Sequence, residues 1–230
     1  MRCRSTPSCH RFFPVLAPLL GFLLASCAAT PTREADGWVD LFDGSTLRGW
    51  TRRGGQATFE AKDGCIVGTT APNQPNTFLC TEATFGDFEL TLEFLVDPEL
   101  NSGVQIRSES RPDYQNGRVH GYQIEIDPSP RAFTGGVYDE GRRGWLADLK
   151  ENPGAQRAFR QGEWNALRVV ALGPEIQTWI NGVPAASLRD DMTPRGFIGL
   201  QVHGVGARTD PLAVRWRRIR LLPLEPGVTR

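Results

Sequence analysis

The chain has 230 residues, with 26 basic and 26 acidic side chains, a length that fits a leader plus one domain of the sandwich class. So even a charge balance leaves no electrostatic footprint for nucleic acid and no polybasic patch for a membrane surface.

The N-terminus is read first as an address. Arg2, Arg4, His10 and Arg11 make a basic start, and residues 12–25 are almost wholly apolar. Pro14 and Pro18 interrupt that run, and it is shorter than the roughly 20 apolar residues a bilayer span needs. It ends in Leu24-Ala25-Ser26-Cys27, which resembles a lipobox. Residues 1–26 are therefore expected to be a lipoprotein signal peptide, with Cys27 as the lipidated residue; an ordinary signal peptide cut nearby is the alternative. An acylated cysteine carrying several chains anchors better than a single myristoyl group. The expected location is the bacterial cell envelope, with Ala28 after the cysteine pointing to the outer membrane. Cleavage would remove Arg2, Arg4 and Arg11 and no acidic residue, leaving a net charge of −3. Cys3 and Cys9 would leave with the leader. Cys65 and Cys80 remain at strand-like positions, and an exported compartment permits them to pair; two buried free thiols are the alternative.

Residues 27–37 are small, polar and Pro-containing, and read as a tether. From Trp38 to about residue 225 the chain is punctuated by Gly, Pro, Asn and Asp roughly every ten residues, with short alternating runs between. That spacing predicts an all-β antiparallel sandwich or barrel. Phe88, Leu90, Leu92, Phe94 and Val96 mark one face of a strand. Val104 and Ile106 alternate with Gln105 and Arg107. Tyr122, Ile124 and Ile126 alternate with Gln123, Glu125 and Asp127. Residues 128–159 form a long loop rich in aromatics (Phe133, Tyr138, Trp145, Phe159), the kind of loop that is usually functional; a weak helical stretch lies at 152–159. Two strands around Gly173-Pro174 lead to Asn181-Gly182, a hairpin signal. Ile198, Leu200 and Val202 alternate with Gln201 and His203. A last strand, 213–222, breaks period near Arg217-Arg218, which predicts a bulge.

Three strands thus carry unusual polar faces: Gln105 and Arg107; Gln123, Glu125 and Asp127; Gln201 and His203. Ordinary solvent faces are the plain alternative, with Arg107 in a surface ion pair and Asp127 opening a turn. If one groove collects them, its chemistry suits carbohydrate. Amides and a guanidinium hydrogen-bond vicinal hydroxyls, Tyr138 and Trp145 offer flat faces to sugar C–H groups, and Glu125 with His203 supplies proton transfer near neutral pH. A Glu125/Asp127 glycosidase pair is a weaker possibility. A divalent metal ion on Glu125, Asp127 and His203 stays open; no other cofactor is called for.

The segment Leu41-Phe42-Asp43-Gly44-Ser45-Thr46-Leu47-Arg48-Gly49-Trp50 resembles the opening of the 3-keto-disaccharide hydrolase family, formerly domain of unknown function 1080 and also described as 3-keto-glucoside lyase and 3-keto-2-hydroxyglucal hydratase. Further motifs follow in register: Gly86-Asp87-Phe88, Asn101-Ser102-Gly103-Val104-Gln105, Gly121-Tyr122-Gln123-Ile124-Glu125, Thr134-Gly135-Gly136-Val137-Tyr138, Trp179-Ile180-Asn181-Gly182 and Gly199-Leu200-Gln201-Val202-His203-Gly204. Where the family pattern runs Glu-x-Gln, this chain has Gln123 and then Glu125. The resemblance implies a concanavalin A-like jelly-roll sandwich of two antiparallel sheets. It also implies cleavage of 3-keto-glycosides, by lyase/hydratase or hydrolase chemistry, through proton abstraction beside the ketone. Under it Glu125 and His203 are the expected catalytic residues. Asn101, Gln105, Arg107, Gln123, Asp127, Tyr138, Trp145 and Gln201 are the expected contacts to an oligosaccharide or glycoside. The alternative is a non-catalytic, lectin-like glycan-binding lipoprotein.

Overall fold

The computed structural model describes Met1 and residues 36–224; Cys27, the leader and most of the tether lie outside the described residues. In chain order the strands are β1 (Val39–Asp40), β2 (Trp50–Gly54), β3 (Thr58–Lys62), β4 (Cys65–Thr69), β5 (Thr77–Thr81), β6 (Phe88–Val96), β7 (Ser102–Glu109) and β8 (His120–Ile126). There follow β9 (Val137–Glu140), β10 (Gly144–Ala147), a single helical turn α1 (Pro153–Gln156), β11 (Asn165–Leu172), β12 (Glu175–Ile180), β13 (Val183–Arg189), β14 (Phe197–Val202) and β15 (Ala213–Pro223). They form two antiparallel sheets. The first runs β13-β12-β11-β6-β15-β4-β3, with β1 on β15; the second runs β10-β9-β8-β7-β14-β5-β2.

The core is the space between the sheets. Period-two alternation supplies it: β6 turns Phe88, Leu90, Leu92, Phe94 and Val96 inward and leaves the intervening residues half-buried. Val104, Ile106, Tyr122, Ile124, Leu200 and Val202 face them from the second sheet. Asn181-Gly182 turns β12 into β13 with positive φ at both residues (50° and 82°), the backbone that a tight two-residue hairpin requires. The bulge in β15 falls between Arg217 and Arg220, with Arg218 at φ 53°.

The segment expected as one long loop is instead organised. It contains the hairpin β9–β10 and α1, which is only four residues long. Asn152 caps that turn by accepting from the Ala155 amide, with Pro153 behind it, where the ring's missing N–H costs nothing. The hairpin is pinned from below. Buried Asp139 accepts from Arg142 Nε at 2.7 Å and Arg143 Nε at 2.5 Å, and Arg143 reaches Asp190, which also holds the Tyr122 hydroxyl.

The cysteine pairing is corrected. Cys65 stands in the first sheet and Cys80 in the second, and both are buried free thiols.

Candidate active site

The hairpin β9–β10 continues the second sheet beyond β8, and every residue of β8 is buried. Registry arranges the outer face of this sheet in rows. Trp145, Tyr138, Gln123, Gln105 and Gly199 lie opposite one another across β10, β9, β8, β7 and β14. The neighbouring row runs Glu125, Gly103, Gln201. Residues directly opposite share a face, so side chains from distant segments meet.

What they make is a directed amide chain ending on a carboxylate. Gln105 Nε2 and Gln201 Nε2 both donate to Gln123 Oε1, at 2.6 and 2.8 Å. Gln123 Nε2 donates to Glu125 Oε2 at 2.8 Å, and Asn101 Nδ2 donates to Glu125 Oε1 at 2.7 Å. Glycine makes this possible: a Cβ at Gly103 would lie 2.5 Å from Gln123 Cδ, so only a bare backbone lets Gln123 fold across the strand. Glu125 is 5% exposed. Burial raises its pKa, the amide donors of Asn101 and Gln123 oppose that rise, and Asp127 adds to it.

Above this floor opens a cavity of about 930 Å³ lined by Asn101, Gln123, Glu125, Asp127, Tyr138, Trp145 and His203. The acid and the imidazole therefore share one pocket. His203 follows β14 on the parity of Gln201 and is exposed; its Nδ1 lies 2.8 Å from Gly204 O. A carbonyl only accepts, so Nδ1 is the donor in this contact and Nε2 takes no part in it. Asn76, from the turn before β5, lines the same cavity and fixes this bend by accepting from the Gly204 amide at 3.0 Å.

Other expected contacts are placed differently. Gln105 and Gln201 are fully buried; each donates one amide hydrogen to Gln123 Oε1, so they hold Gln123 rather than line the cavity. Arg107 is a correction. The ladder between β7 and β8 shifts after Ile106, and Arg107 adopts φ 45°. Its side chain donates to Gly86 O, Gly173 O and Asp87 Oδ1 at 2.7, 2.7 and 2.8 Å, tying β7 to the first sheet. Asp127 lines the cavity, but its carboxylate also organises the turn, accepting from Arg131 Nε at 2.7 Å, Ser129 N and Phe133 N. Burial pushes its pKa up, yet Arg131 and Ser129 hold it below the ordinary value. Among the described residues no group of three or more His, Cys, Asp or Glu is arranged as a metal site, so Glu125, Asp127 and His203 are not gathered as one ligand set.

Sequence reasoning missed Arg131. It lines the cavity, lies over the rings of Trp145 and Phe133, and has one terminal nitrogen 3.6 Å from Glu125 Oε1. It sits in a turn, where no periodicity flags a residue; its spacing of four from Asp127 was the available hint. A second depression, on the outer face of the first sheet, is lined by Thr91, Arg168 and Trp179. There Arg168 lies over the indole at 4.3 Å and pairs with Glu89, so that ring face is already covered and the cation already has a carboxylate partner.

Comparison with known proteins fits this architecture. The family described as 3-keto-alpha-glucoside-1,2-lyase-like domain matches residues 37–222. A 3-keto-disaccharide hydrolase from Bacteroides thetaiotaomicron is 25% identical over 74% of this chain and 75% of that protein. Among solved structures, carbohydrate binding module CBM66 from Bacillus subtilis shares the fold with TM-score 0.55 at 16% identity, covering 75% of this chain and 94% of that one. A prokaryotic β-1,3-1,4-glucanase (lichenase) derived from a mouse hindgut metagenome does so with TM-score 0.51 at 15% identity, over 76% of this chain and 93% of that one.

Proposed function

The chain belongs to the 3-keto-alpha-glucoside-1,2-lyase-like family, and from that premise we propose that it cleaves 3-keto-glycosides by removing the proton at C2, beside the ketone. The observation that carries this reading is Glu125: a nearly buried carboxylate with an amide donor on each oxygen, opening into the cavity that also holds His203. A carboxylate with a raised pKa is a stronger base, and once protonated it can return the proton. Glu125 takes the C2 proton, and the C1–O bond then breaks. His203 enters this step as the imidazolium: Nε2 passes its proton to the leaving oxygen and recovers one from the water that adds at C1. Tyr138 and Trp145, edge-to-face at 5.3 Å, flank the sugar at the mouth. The protein acts on its glycoside at the cell envelope, held there through lipidated Cys27.

The test offers a 3-keto-glucoside to the purified protein and to Glu125→Gln and His203→Ala. Loss of turnover in both supports the assignment, and turnover unchanged in both removes it. Tight calorimetric binding of the plain disaccharide, with no turnover of its 3-keto form, would instead make the domain a lectin. Labelling cells with a fatty-acid analogue tests the anchor, and Cys27→Ala should abolish incorporation.

A further inference from the structure

Proton abstraction next to a ketone moves negative charge onto the carbonyl oxygen, and something must hold it. Arg107, the arginine that strand parity suggests for this, is buried against the other sheet. Arg131 stands in its place. Its Nε is fixed to Asp127 Oδ2 at 2.7 Å, while Asp127 is itself held by the Ser129 and Phe133 amides. The guanidinium lies 5.2 Å from the Trp145 ring centroid and 5.4 Å from that of Phe133. Its side chain is nonetheless 46% exposed. One terminal nitrogen stands 3.6 Å from Glu125 Oε1, a separation too long for a hydrogen bond. The donors are therefore oriented but not spent.

We infer that Arg131 is the electrophile of the reaction, its terminal N–H groups holding the C3 ketone oxygen while Glu125 takes the neighbouring C2 proton; this rests on the reading above. The spacing fits, because C2 and C3 are bonded neighbours. A base and a donor that serve them must stand a few ångströms apart, with reacting atoms about 3–3.5 Å from their partners. The electron count is simple. The C2–H bond breaks and the proton goes to Glu125. The freed pair becomes the C2=C3 bond, and the carbonyl π pair moves to the oxygen that Arg131 holds. When the C3=O bond reforms, the C2=C3 pair shifts to C1=C2, and the C1–O pair leaves on the glycosidic oxygen and is protonated. The negative charge only travels from Glu125 to the ketone oxygen, so a fixed cation beside both needs no reorganisation.

Arg131 also offsets the charge of Glu125, and its pull lowers that group's pKa. The experiment must separate the two effects. Arg131→Lys and Arg131→Met are assayed on a 3-keto-glucoside across the full pH range, with C2 hydrogen exchange into D2O followed by NMR. The expected result is a fall in kcat of about 10²–10³-fold on the pH plateau, with KM little changed, exchange slowed in step, and part of the Met variant's rate restored by added guanidinium. Should the plateau rate match that of the parent protein, with only the acid limb displaced, Arg131 merely tunes Glu125 and the inference is overturned. If the parent protein turns over no 3-keto-glycoside, the proposed function itself fails, an outcome distinct from an active parent with active variants. The Lys variant keeps the charge near Asp127, which guards against confusing misfolding of the Met variant with loss of chemistry.

Discussion

Gly103→Ala isolates the amide chain beneath the carboxylate. A β-carbon at Gly103 would lie 2.5, 2.6 and 2.8 Å from Cδ, Cγ and Nε2 of Gln123, where non-bonded carbons prefer about 3.5–4.0 Å. The crowded atoms are the far end of a flexible side chain, so Gln123 moves and the backbone stays. Glu125 then loses one of its two amide donors. A hydrogen bond to a charged group contributes about 1.5–3 kcal/mol, which is roughly 1–2 pH units at about 1.36 kcal/mol per unit. The donor favours the ionised form, so its loss drives the Glu125 pKa further upward. Carbon-13 NMR titration of the glutamate side-chain carboxyls, assigned by the Glu125→Gln spectrum, reads this without any assay of activity. In kinetics the acid limb of kcat/KM should move up by the same amount, because the base must be ionised to act. Gln123→Ala should reproduce the shift, and the double variant should add little, as expected for two lesions in one network. Unchanged titration of Glu125 in Gly103→Ala would mean that burial and Asn101 alone set the carboxylate, and the chain of amides would lose its assigned role.

Arg107→Met should cost stability and not substrate binding. Removing one partner of a buried ion pair costs about 3–5 kcal/mol, and the partial exposure of Asp87 places the loss in denaturant melts near the lower end; a raised KM with stability intact would contradict the placement. Asp190 should carry acid sensitivity. Burial opposes ionisation, but Arg143 and the Tyr122 hydroxyl hold its pKa down to about 2 from an ordinary 3.8. Its stabilisation is thus complete above about pH 4 and is lost as pH falls through about 2, a contribution near 1 kcal/mol once solvent screening is allowed for. Melts of Asp190→Asn should be flatter over that window, and an equally steep loss would assign the acid sensitivity elsewhere. Cys80, whose pKa burial pushes up to about 12 against the pull of Arg53, should resist thiol reagents until the fold opens, and reductant should leave Tm unchanged. Rapid labelling of the native state would contradict this.

The sandwich was legible because its signal is local. Strand β6 alternates over nine residues because one face is buried, and β8 and β14 alternate apolar with polar side chains although both of their faces are buried. The hairpin β9–β10 was not. Its strands are four residues each, too short for a period, and what fixes them is tertiary: the Asp139 carboxylate beneath two arginines, and Asp190 from a loop far along the chain. The same contrast runs through the site. Gln123, Glu125 and Gln201 share a face because parity and register put them there, which sequence can anticipate. That Gln105 and Gln201 lie under Gln123 rather than beside it depends on the missing side chain of Gly103, a three-dimensional fact that a turn-forming residue does not advertise.

The two arginines make the limit of parity explicit. Position 107 has the parity of 105, and an unbroken ladder would set it opposite Phe197 and Gly121 on the outer face, one pair along from Gln105. The shifted ladder after Ile106 breaks that count, and a positive φ swings the side chain to Asp87 and two carbonyls of the other sheet. Arg131 belongs to no strand at all. It reaches the cavity because Asp127 follows the end of β8, because the following turn returns the Phe133 amide to the same carboxylate, and because the hairpin brings Trp145 against the guanidinium. These residues lie near one another in the chain, but their meeting is tertiary and no strand period marks it; only the spacing of four between Asp127 and Arg131 hints at it. An enolate oxygen needs a preorganised donor or a positive charge; under the proposed reaction a bulge takes Arg107 away from that role and a turn offers Arg131.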